Sequence, residues 1–139
     1  SCHEFRERQI DFIKQVIKNK EYEADDITCK MVVCHNPFTN VQKEPFDIEK
    51  EIYSKWASLL KEYVKPNIML AGHIHDCFIS EVGSDYDHLG QPCVLVVGSD
   101  KSKEYHAGCG LTIGKDAIES VFCDSDGKVF GKTILEIEE

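Results

Sequence analysis

Three histidines are the residues of this 139-residue chain whose type and spacing suit chemistry best. His35 ends a short apolar run, Cys29-Lys30-Met31-Val32-Val33-Cys34. His73 and His75 end a second, Asn67-Ile68-Met69-Leu70-Ala71, after an intervening Gly72. Neutral imidazole is the commonest protein ligand for transition metals. A single His after a strand is ordinarily a polar rim residue, and His-x-His alone is a weak signal. The weight lies in the match, two apolar runs that each stop abruptly at histidine. Gly72 is read as the residue that lets the backbone turn tightly just before the ligands.

Both runs are too short for helices and apolar enough for buried strands. Between them Ile48, Ile52, Trp56, Leu59, Leu60 and Tyr63 recur at helical spacing, with Pro45 and Asp47 at the start and Pro66 at the end. A strand–helix–strand unit of this kind places two parallel strands in one sheet. Their C-terminal ends then share an edge, which is where ligands bind in α/β folds. Upstream, Phe5, Phe12, Ile13, Val16 and Ile17 mark an amphipathic helix from His3 to about Lys20. Downstream, a short strand is expected at 77–81, an apolar run spans Pro92 to Val97, and strands near 109–113, 117–123 and 128–137 form a meander. Its turns are Gly114-Lys115-Asp116 and Asp124-Ser125-Asp126-Gly127. The fold class expected is α/β, with two main helices on a mixed sheet and residues 1–139 forming one unit.

Composition narrows the function classes. The net charge is −9 and no Lys/Arg cluster stands out, which argues against a nucleic-acid face. No apolar run approaches a membrane span. The seven cysteines are odd in number, form no Cys-x-x-Cys pair and sit among apolar residues, so free thiols and a cytoplasmic setting are expected. The opening Ser1-Cys2-His3, without an initiator Met, suggests that something upstream has been removed. Cys34 and His35 do not make a nucleophile–base pair, because neighbours in a strand point to opposite faces. Cys77 with His73 and His75 offers an alternative, a structural zinc site. Asp124–Gly127 lacks the downstream Glu of a calcium loop. His3, His88 and His106 have no evident partner.

The segments Met31-Val32-Val33-Cys34-His35-Asn36-Pro37 and Ile68-Met69-Leu70-Ala71-Gly72-His73-Ile74-His75 resemble the last two motifs of the calcineurin-like metallophosphoesterases. The resemblance covers nearly the whole chain, as the C-terminal half of that family's four-layer αββα sandwich. It implies that His35 and His73 bind one metal ion and His75 the other, of a pair drawn from Mn, Fe and Zn. Asn36, Gly72 and Asp76 would stand behind the ligands or toward the substrate. It further implies a phosphate-ester substrate, attacked by a metal-bound hydroxide. The family's upstream motifs, Asp-x-His, Gly-Asp-x-x-Asp and Gly-Asn-His-Asp/Glu, are absent. They supply the bridging carboxylate, the Asn ligand and the catalytic His, so no catalytic residue is expected in this chain. The expectation is therefore an inactive C-terminal portion of a phosphatase or phosphodiesterase, completed by an N-terminal half and prone to self-association at an uncovered edge. The alternatives are a non-catalytic α/β module with a vestigial or single-metal histidine site, and the structural zinc domain.

Overall fold

The computed structural model describes residues 2–38, 50–80, 94–96 and 106–137. Asp47, Ile48, His88 and most of the two expected loops at 76–92 and 98–108 lie outside the described residues.

The chain forms α1 (Cys2–Asn19), β1 (Met31–Val33), α2 (Lys50–Leu59), β2 (Ile68–Ala71), β3 (Phe78–Ser80), β4 (Val94–Val96), β5 (Ala107–Ile113), β6 (Ala117–Asp124) and β7 (Val129–Glu136). The strands make two sheets. The first is mixed, in the order β1-β2-β4-β3. In it β1 pairs with β2 in parallel, Val32 beside Met69, and β4 lies parallel to β2 on its other side. The second is the antiparallel meander β5-β6-β7.

Alternation along β2 explains the layering. Met69 and Ala71 pack with Ile13, Phe38, Tyr53, Ala57, Leu60 and Val64, beneath the helices. Ile68 joins Ile118 and Phe122 between the two sheets, with Leu70 packed against them. Side chains two apart share a face, so β2 is buried on both sides and reads as a continuous apolar run. The layers are helices, mixed sheet and meander.

Two helical details differ from the sequence reading. The second helix does not stay regular to its end: after Leu59 it widens into a single π-type turn, Leu60–Val64. Lys65, at φ 52°, closes it by donating its N–H to the Leu60 carbonyl at 2.8 Å. Along α1, Ile13 is buried, but Phe5 and Phe12 are 63% and 61% exposed. Periodicity identified the apolar face; the helix packs chiefly against α2, so only part of that face is covered.

The turn from β6 to β7 forms as expected. Asp124 Oδ1 accepts the N–H groups of Asp126 and Lys128 at 3.0 and 2.9 Å. Gly127 takes φ 78°, a conformation that costs glycine little. Among the described residues no helix is long and apolar enough to cross a membrane.

Candidate metal centre

The parallel pairing of β1 and β2 continues past the strand ends. Cys34 donates its N–H to the Leu70 carbonyl at 3.0 Å, and Gly72 donates its N–H to the His35 carbonyl at 3.0 Å. These bonds hold the two histidine-bearing turns side by side on one rim. His35 Nε2 and His73 Nδ1 lie 3.1 Å apart. The rings meet edge to face, with centroids 5.0 Å apart and planes at 80°.

The turn itself is not built as the sequence suggested. Among the described glycines only Gly127 has positive φ, whereas His73 and His75 take φ 64° and 60°. Gly72 is tied to His35 as a continuation of the ladder, so the reversal falls one residue later. The Ile74 N–H donates to the Gly72 carbonyl at 2.7 Å, a γ-turn centred on His73. Positive φ costs an L-residue about 1–2 kcal/mol. Strain of this kind concentrates where a site needs a particular geometry. Here it falls on two of the three candidate ligands.

A separation of 3.1 Å between two imidazole nitrogens is close to a ligand–ligand edge around one cation. Metal–nitrogen bonds of about 2.0–2.1 Å give edges of roughly 2.8–3.4 Å in octahedral to tetrahedral geometry. The pair thus fits one divalent ion. It does not by itself fit two, because adjacent cations need an anionic bridge. Asp76 follows His75 directly, but its Oδ1 accepts the Cys77 N–H at 2.8 Å and serves the loop. His75 is exposed on the same turn. Among the described residues no group of three or more His, Cys, Asp or Glu side chains is placed to hold a metal ion. Cys77 packs between the sheets while His73 meets His35, which separates the donors of the structural zinc alternative.

Behind His35 the wall is apolar. Cys34 packs against the helix-side core and donates its thiol to the Asn36 carbonyl at 2.9 Å. Burial pushes that thiol up to about 12, so it is an inert thiol and no nucleophile. Asn36 reaches toward α2. Its side chain bonds the Tyr53 phenol, whose pKa burial raises while the Arg6 charge and this bond work against the shift. Asn36 Oδ1 and Trp56 Nε1 are buried without a hydrogen-bond partner among the described residues. A cavity of about 890 Å³ opens beside them between α1, β1 and α2, with Phe5, Phe12, Phe38, Tyr53 and Trp56 in its walls. Sequence reasoning missed this cavity. The only hint was an apolar helix face wider than one short helix pair could cover.

No protein-family model and no curated protein matches the chain. Solved structures of Vps29 from Entamoeba histolytica are similar to it. A single mutant is 18% identical with TM-score 0.40, over 72% of this chain and 53% of that one. The wild type complexed with zinc is 19% identical with TM-score 0.40, over 70% and 51%. A double mutant is 18% identical with TM-score 0.41, over 84% and 64%. The chain therefore spans between about half and just under two thirds of the length of these structures.

Proposed function

We propose that this chain contributes the histidine side of a metal centre to a metallophosphoesterase domain. The observation that carries the reading is the His35–His73 contact at the C-terminal ends of adjacent parallel strands, 3.1 Å between ring nitrogens. His35 and His73 would share one divalent ion, Mn, Fe or Zn, and His75 would reach the second. Such ions supply Lewis acidity toward a phosphoryl oxygen. The chain's own part is to hold the imidazoles correctly turned and at fixed separation. The ladder bonds through Cys34 and Gly72 do this by locking the two turns together. The bridging carboxylate and the proton donor would come from the Asp-x-His, Gly-Asp-x-x-Asp and Gly-Asn-His-Asp/Glu motifs of an N-terminal half. That half would also cover β1, which pairs only with β2 among the described residues and where Met31 and Val33 are 40% and 75% exposed.

A longer parent chain carrying those motifs tests this reading. It should hydrolyse a chromogenic phosphate monoester or diester with Mn or Zn, and His73→Ala should abolish turnover. A parent that is active and indifferent to His73→Ala would overturn the ligand assignment.

One observation favours a second reading, a non-catalytic module that binds a single ion. The two imidazoles satisfy each other directly, and among the described residues no carboxylate completes a group of three donors. The two readings differ in stoichiometry: two ions per parent domain for the first, one for the second.

A further inference from the structure

The outer edge of the meander is long and regular. Among the described residues β7 pairs with β6 alone, and the register slips only near the turn, between Phe122 and Cys123. From Gly131 to Glu136 the ladder is even. Just beyond it the Ile137 N–H donates to the Asp116 carbonyl at 2.9 Å. Along an antiparallel strand the backbone groups of alternate residues turn to opposite edges. Leu135 and Thr133 therefore bond toward β6 as Ile137 does, and the N–H and C=O groups of Lys132, Ile134 and Glu136 point away from it. The side chains of the same three residues stand on the outer face. Ile134 is 62% exposed, whereas Leu135 packs between the sheets. Such an edge is ordinarily blunted by proline, a bulge or charge. From Gly131 to Glu136 there is no proline and no bulge, and the charges are one lysine and one glutamate, placed evenly about Ile134. Lys132 already meets one carboxylate of its own chain, Glu119 Oε2 at 2.8 Å. The opposite edge, β5, carries Gly108 and Gly110 and offers fewer side chains to pack.

We propose that two copies of this chain join along their β7 edges, antiparallel about a two-fold axis at Ile134, so that the two three-stranded meanders become one continuous sheet. Charge selects the register. With the axis at Ile134, each Lys132 lies opposite a Glu136 across the junction, and Ile134 lies opposite its own copy. An axis at Lys132 would set two lysines against each other, and one at Glu136 two glutamates. Like charges directly opposite are destabilising, and opposite charges there are favourable. An axis at Thr133 or Leu135 sets a charged residue opposite Ile134. In the selected register the outward backbone groups also meet: the Ile134 N–H of each copy donates to the Ile134 carbonyl of the other. Lys132 then stands between Glu119 of its own chain and Glu136 of its neighbour. The contact is isologous, so each pair occurs twice, both β7 edges are consumed and association closes at two copies. It lies on the meander and is independent of the metal reading.

The test is sedimentation velocity of the 139-residue chain from micromolar to millimolar concentration, with reductant present. Salt at about 0.15 M screens the net charge of −9 that each copy carries. The expected result is a monomer that converts to a dimer as concentration rises, with nothing larger. Lys132→Glu should weaken the dimer by roughly tenfold, because two favourable pairs become two repulsive ones. Adding Glu136→Lys to it should restore the dimer, since the swapped charges again lie opposite. Ile134→Pro should abolish it, because the lost N–H is the donor at the axis. Proline is tolerated on an edge strand where that N–H faces solvent, and far-ultraviolet circular dichroism checks that each variant is folded. Monomer at every concentration, growth beyond a dimer, or a dimer indifferent to Lys132→Glu overturns the proposal. The charge reversal and its rescue decide the matter even if the Ile134→Pro chain fails to fold.

Discussion

Replacing His75 by glycine separates strain from ligation at one residue. His75 sits at φ 60°. Relieving a left-handed L-residue is worth about 1–2 kcal/mol. Glycine's greater freedom in the unfolded chain takes back about 0.5–1 kcal/mol, leaving a net gain of up to about 1.5 kcal/mol. With a urea m-value of about 2 kcal/mol/M, the midpoint of metal-free His75→Gly should rise by up to about 0.75 M. Wild type with zinc at a hundredfold excess over its dissociation constant gains about 2.7 kcal/mol, and the variant should keep that gain, because the ion held by His35 and His73 does not use His75. Urea unfolding with EDTA and with zinc, followed by far-ultraviolet circular dichroism, reads both effects. A variant less stable than wild type in EDTA would refute the strain argument. A variant that loses the zinc gain would refute the division of His35 and His73 from His75 between two ions.

The other outcomes follow from the packing and the site. Met69→Ala, at a fully buried position between helices and sheet, should cost about 2–5 kcal/mol in urea unfolding. Gly131→Ala should cost about 1–3 kcal/mol, because its Cβ would meet the Phe122 ring at 3.0 Å, whereas Gly110→Ala, with open space around it, should be nearly neutral in the same assay. Cys34 should resist alkylation at pH 8 in the folded state, since burial pushes its thiol up to about 12. The folded state holds that proton more tightly than the unfolded chain does, so stability is intact below about pH 9 and falls as pH rises toward 12, which an alkaline series of unfolding curves checks. The 139-residue chain alone should show no metal-dependent turnover of a chromogenic phosphate ester, because parts of an interdependent site do not act additively.

Much of the fold was legible because its signals are local. The apolar runs at Met31–Val33 and Ile68–Ala71 pair as parallel strands, and the second is buried on both faces. The Asp124–Gly127 turn carries its own hydrogen-bonding side chain. The approach of His35 to His73 followed from the handed strand–helix–strand unit. What was not legible depends on contacts distant in sequence. Whether the apolar face of α1 is covered at Phe5 and Phe12 depends on what packs there, which periodicity does not encode. Asn36 finds Tyr53, a partner on α2, with no shared motif to announce it. The left-handed backbone at His73 and His75 was hidden by Gly72, the residue chemistry would have chosen for it. A ladder bond to His35 occupied that glycine instead.

The central claim is that His35 and His73 ligate one metal ion. Zinc titration of the chain with ¹⁵N-labelled histidine, followed through the ring nitrogens, tests it most directly. The account predicts that His35 Nε2 and His73 Nδ1 change together with the first equivalent bound, and that His35→Ala removes the response at His73. Metal uptake that leaves both of these ring signals where they began would contradict it.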